Sequence, residues 1–165
     1  MTADHHIDPE QLPHAQFPQA PGPHPELRKL DALVGTWRLE GCDLDGANPF
    51  TGTLTRRWLD GGHFLVQEMS VDGQGHGGTE YIGYDHAANK LRSMLFSNEG
   101  PGPFCPFALE YYWQIDEDAL IIWHGEVDSP ARFTGTIDRA DGVVDGEWTW
   151  PGGGYRATST LIERG

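Results

Sequence analysis

Four side chains carry most of the chemistry open to this chain: Arg56, Gln67, Tyr111 and His124. A guanidinium is a permanent cation with its donors in a fixed fork, suited to a carboxylate or another polar oxygen. A carboxamide beside it supplies a further donor and an acceptor. A histidine next to a tyrosine can exchange a proton or orient a polar ligand, and it can equally be a hydrogen-bonded core pair. The signatures GxSxG, HExxH, Walker A and CxxC are absent, and no nucleophile or third group completes a catalytic set. No catalytic residue is therefore assigned. The GQGHGG run at 73–78 lacks the strand and helix that a phosphate cradle needs. Asp43 and Asp45 share one face at a strand end and read as caps of a solvated loop.

What could bring the four together is a set of hairpins. After a helical pattern over Pro25–Val34, ten candidate strands follow, near 36–43, 51–60, 63–72, 79–86, 90–98, 107–116, 119–126, 131–140, 143–151 and 154–163. The helix is marked by Pro25 in its first turn, by Leu27, Leu30, Leu33 and Val34 on one face, and by Gly35 at its end. Short connections between successive strands imply an all-β, antiparallel up-and-down meander, and ten such strands close most naturally into a barrel.

Side chains alternate across a strand, so each turn decides which residues share a face. A Gly-Gly turn at 61–62 sets Trp58 against Leu65, Arg56 against Gln67 and Leu54 against Met69. A turn at Glu117-Asp118 sets Ile115 against Leu120, Trp113 against Ile122 and Tyr111 against His124, with Leu109 opposite Glu126. A type I′ turn at Asp141-Gly142 pairs Gly135 with Trp148 and Phe133 with Trp150. Gly-Gly at 152–153 pairs Trp150 with Tyr155 and Trp148 with Ala157. The strands at 79–86 and 90–98 stay undecided: either Ile82, Tyr84 and Leu95 or Tyr81, Met94 and Phe96 face inward.

On these registers Arg56, Trp58, Gln67, Tyr111, Trp113, His124, Trp148, Trp150 and Tyr155 form the candidate ligand-binding lining. Five large aromatics in one lumen leave limited space, which favours a small or flat ligand over a long lipid. They could also fill the interior. A buried arginine needs compensation, so Arg56 either anchors an anion or pairs with Glu126, and both readings stand. Phe104 and Cys105, in the proline-stiffened loop 99–106, are either a lid or an ordinary surface loop.

Composition narrows the classes. The 165 residues suit one domain, and a net charge of −14 argues against nucleic acid and against an anionic membrane. Residues 1–24 hold five of the prolines and the histidines His5, His6, His14 and His24. They are expected to form a disordered tail, without zinc-ligand spacing, ahead of a barrel domain at 25–165. With Cys42 and Cys105 as two reduced thiols and no apolar leader or transmembrane run, a cytoplasmic protein is expected. No metal is expected, and a homodimer is left open.

The run LDALVGTWRLEG at 30–41 resembles the entry to a calycin barrel, where a short helix leads to Gly-x-Trp, here Gly35-Thr36-Trp37. GGHFLVQE at 61–68, YIGYD at 81–85 and GEWTWPGGGYRATSTLIE at 146–163 extend the likeness to a bacterial lipocalin-like domain family of unknown function. The resemblance implies a ten-stranded barrel, closer to nitrobindins and fatty-acid-binding proteins than to eight-stranded lipocalins, with a tryptophan plugging one end. Fatty-acid-binding proteins hold carboxylates on interior arginines. Nitrobindins hold haem through a late-strand histidine, whereas the last strand here has none and His124 lies three strands earlier. The leading expectation is a cofactor-free carrier or sensor of a small, flat or anionic hydrophobic molecule. The alternatives are a haem-binding or acid/base enzyme using His124, and a filled barrel that serves as an interaction module.

Overall fold

The computed structural model describes residues 21–165. The expected tail lies mostly outside them. Ten strands follow a short helix: β1 Gly35–Asp43, β2 Phe50–Trp58, β3 Phe64–Val71, β4 Gly77–Asp85, β5 Lys90–Ser97, β6 Leu109–Asp116, β7 Ala119–His124, β8 Arg132–Asp138, β9 Val143–Trp150 and β10 Gly153–Glu163. Each pairs antiparallel with its sequence neighbours, and β10 returns to β1, so the sheet is a closed up-and-down barrel with no free edge.

The helix, Pro25–Leu33, is of the 3-10 type. Its three-residue turn suits Leu27, Leu30 and Leu33, which fall on one face and are all buried. His24 caps it by accepting the Glu26 N–H at 3.2 Å, and the His24 ring stacks on Tyr84. His24 thus belongs to the helix start rather than to the tail. The helix closes one end of the barrel. Beneath it the core runs through Trp37, Leu65, Ile82, Leu91, Ile115 and Ile137. Trp37 is 1 % exposed, and its indole N–H donates to the Leu33 carbonyl at 2.8 Å, tying helix to strand.

The registers at Arg56–Gln67 and Tyr111–His124 are as the turns imply. Glu117 holds its tight turn by adopting φ 53°, and Arg139 donates to its carbonyl. Two other registers are shifted by two residues. Phe133 pairs with Trp148 and Gly135 with Gly146, because the connection is a four-residue loop, not a turn at Asp141-Gly142. Asp138 builds that loop by accepting the N–H groups of Ala140 and Asp141. Tyr155 pairs with Trp148 and Ala157 with Gly146, because the turn is Pro151-Gly152, not Gly152-Gly153. Proline fixes the first central position, and Gly152, at φ 91°, takes the second. A two-residue shift preserves the faces, so Phe133 and Trp148 stay inside. On the undecided strands, Ile82, Tyr84 and Leu95 face inward while Tyr81, Met94 and Phe96 face out.

Replacing Trp37 tests the plug. Trp37→Ala is expected to cost about 3–5 kcal/mol. Trp37→Phe, which keeps the bulk but leaves the Leu33 carbonyl unpaired, costs roughly 1–3 kcal/mol. Urea denaturation followed by circular dichroism measures both.

Candidate functional site

Above the plugged end the lumen opens into a cavity of about 530 Å³. The aromatics do not fill the barrel, for two reasons. Trp58 and Trp113 sit at the plugged end. Trp58 donates to Asp31, has Arg28 stacked on its ring and does not line the cavity. Trp113 is buried at the cavity's base. Phe133, in turn, lies flat on the wall, since a Cβ at Gly146 would come within 2.5 Å of its ring. The upper walls are Tyr111, Trp148, Trp150 and Tyr155, with apolar residues such as Leu39, Leu95 and Leu109 between them. Trp150, 44 % exposed, stands at the rim.

The floor is polar and hydrogen-bonded from strand to strand. Arg56 Nε donates to Gln67 Oε1 at 2.6 Å, and Gln67 Nε2 donates to Glu80 Oε2 at 2.8 Å. From the other side, Trp113 Nε1 donates to Ser93 Oγ at 2.8 Å, and Ser93 donates to Glu80 Oε1 at 2.6 Å. Three of the four directions are forced. Guanidinium and indole N–H groups only donate, so Gln67 presents its oxygen to Arg56 and its N–H to Glu80, and Ser93, accepting from Trp113, has its own proton to give to the Glu80 carboxylate. Both arms end on Glu80, which accepts at both oxygens. The five residues come from five adjacent strands, β2 to β6.

Glu80 is the residue missed in the sequence. The turns around its strand fix no register, and the ion-pair reading of Arg56 names Glu126 as the partner. Glu126 is exposed in the connection after β7, because Gly125 turns the chain at φ 79° one residue past the strand end. The signal for Glu80 is alternation: it precedes Ile82 and Tyr84 on their face and pairs with Gln67.

Burial dominates the electrostatics. It lowers the Arg56 pKa to about 10, with Glu80 pulling the other way. It raises Glu80 above the usual carboxylate range, opposed by the Ser93 hydroxyl and by Arg56. Tyr111 is raised by burial and then by Glu80, and Tyr155 is pushed up to about 12 by burial alone. Arg56 retains one enclosed nitrogen, Nη1, without an acceptor, and its guanidinium carbon lies 5.6 Å from the Trp37 ring centroid.

His124 and Tyr111 meet edge to face with ring centroids 5.5 Å apart, and both line the cavity. Among the described residues no three His, Cys, Asp or Glu side chains are placed to hold a metal ion. Phe104 is 97 % exposed and does not cover the lumen. Among the described residues, no helix is long and apolar enough to cross a membrane.

Comparison with protein-family models finds no match to this chain, and comparison with curated proteins finds none either.

Gln67→Met, of similar volume, orphans both Arg56 Nε and Glu80 Oε2. It is expected to destabilise the fold by roughly 1–3 kcal/mol per orphaned group, read as a fall in the urea midpoint. Tyr155 supplies a second check. Its proton is held more tightly in the fold than in the unfolded chain, so its contribution to stability is lost as pH rises from about 10 to 12. Absorbance titration at 295 nm should show a phase near pH 12 that is missing in Tyr155→Phe.

Proposed function

We propose that this barrel is a carrier or sensor of the calycin type. It takes a small, flat hydrophobic molecule into the lumen. The aromatic walls of Tyr111, Trp148, Trp150 and Tyr155 hold the ligand's body. Arg56 and Gln67 hold its polar end, whether anion or neutral acceptor. One observation carries the reading: the 530 Å³ apolar cavity is lined at its base by the buried Arg56 guanidinium, which makes its one side-chain hydrogen bond through Nε. A guanidinium offers five N–H donors, and a ligand oxygen in the cavity is the acceptor that its unused donors facing the lumen would take.

The shape of the lumen supports a compact ligand. The wired floor blocks one end, so an occupant stands with its polar end down and its apolar end toward the mouth. Trp113 and Trp148 line the cavity, so occupancy should change the intrinsic tryptophan fluorescence.

Native mass spectrometry of freshly purified protein tests the proposal directly. A retained small molecule is the expected result, released on unfolding. Arg56→Met alone would strand Glu80 as an unpaired buried charge, whereas the double variant Arg56→Met/Glu80→Met removes both charges together. The double variant leaves Gln67 and the Ser93 hydroxyl without their partners, so it is expected to fold with a lowered denaturation midpoint and to lose the ligand, with affinity down roughly 10- to 100-fold. Full retention of ligand by the double variant would sink the assignment of Arg56. A Soret band on adding haemin that disappears in His124→Ala would replace this reading with a haem protein.

A further inference from the structure

We propose that Glu80 makes the floor selective for an uncharged acceptor, such as a ketone, ester or amide carbonyl, and that an anion enters only together with a proton on Glu80. The inference rests on the ligand site at Arg56 and fixes the charge of the head group it receives.

The bond directions carry it. Two donors converge on Glu80, Gln67 Nε2 and the Ser93 hydroxyl, and each is itself held by a donor behind it, Arg56 on Gln67 and Trp113 on Ser93. A carboxylate accepting at both oxygens is the state this pattern serves. The positive charge of Arg56 is then already balanced, and the floor is neutral as a whole. An interior arginine without such a partner would need an anion from outside. This one needs only a lone pair. A ligand anion would place a second negative charge beside Glu80 in an apolar lumen, where an uncompensated charge is costly. Protonating Glu80 removes that excess.

The other titratable groups facing the lumen are few. Arg56 on β2 keeps its charge below about pH 10. Tyr111 on β6 and Tyr155 on β10 hold their protons well past neutrality. His124 on β7 is the remaining one along the cavity wall. On β4 itself Tyr84 lies beyond Ile82, stacked on His24. The flanking strands β3 and β5 present Gln67 and Ser93 to Glu80, which do not titrate. The lumen faces of β8 and β9 carry only apolar residues and glycine, and that of β1 does so up to Asp43, which pairs with Tyr155 at the strand end and accepts from Asn48.

Two flat probes of one shape class separate the cases: 2-acetonaphthone, a neutral ketone, and 2-naphthalenesulfonate, which stays anionic across the range. Isothermal titration calorimetry between pH 5 and 8, in buffers of different ionisation enthalpy, reads affinity and proton uptake together. The ketone should bind wild-type protein with Kd constant within about twofold, and the sulfonate should weaken by up to about tenfold per pH unit while taking up one proton. Glu80→Gln should abolish the sulfonate's pH response, and His124→Gln should keep it. The wild-type series is decisive even if Glu80→Gln fails to fold. Sulfonate binding that is independent of pH, or tighter than the ketone at pH 8, overturns the role of Glu80 and leaves the ligand site standing. Loss of the pH response in His124→Gln also overturns it. If neither probe binds at any pH, the ligand site and this inference fail together.

Discussion

The hydrogen-bonded chain from Arg56 through Gln67, Glu80 and Ser93 to Trp113 is the constraint on which the rest of the barrel depends. A permanent cation and a carboxylate are both buried, and neither is tolerable unless its partners are in place. Satisfying them requires β2, β3, β4, β5 and β6 to stand in one relative register. Apolar alternation cannot impose this by itself. A slip of one residue inverts the faces and is heavily penalised, but a slip of two returns every apolar side chain to the interior. Only groups with individual partners distinguish the two. The polar floor therefore does for half the barrel what a hydrophobic pattern cannot.

The opposite wall shows the same problem solved by shape. Strands β8, β9 and β10 present no polar network to the lumen. There, Gly135 and Gly146 sit opposite each other, and the Phe133 ring occupies the space their missing side chains leave. A slip of two would drive a side chain into that ring. The glycine pair thus fixes register and keeps the aromatic flat, which preserves the cavity beside it. Asp138 and Pro151-Gly152 reinforce it through the connecting turns.

This division explains what could be read from the chain. The strand count, the barrel and the inward faces of all strands but β4 and β5 were legible, because alternation is written in them and their turns fix which residues share a face. The Arg56–Gln67 register was legible too, since two adjacent glycines mark its turn. The pairings of β8 with β9 and β9 with β10 were misplaced by two residues, the one slip to which alternation is blind. Asp138 as a turn builder and Pro151 ahead of Gly152 were the overlooked signals. Glu80 was invisible for another reason: the Gly-rich connection before β4 and the link after it fix no register locally. Its inward position emerges only when β4 is flanked by both β3 and β5. A strand drawn past Gly125, as to 126, offers Glu126 as a partner for Arg56 in place of Glu80.

The depth of the floor bears on what the lumen can receive. From Arg56 to Phe50 at the mouth, β2 spans six residues, about 20 Å along a strand and roughly 15 Å along a tilted barrel axis. A fused-ring body with one polar substituent fits that depth with its far edge near Trp150. A long alkyl chain would have to fold back on itself or emerge at the rim, and either loses buried area. Polar contacts are concentrated at the base and absent from most of the wall, so orientation is set by a single end of the ligand. Affinity then comes from area and selectivity from the floor. The two are separable in this barrel because the residues that supply them occupy different layers.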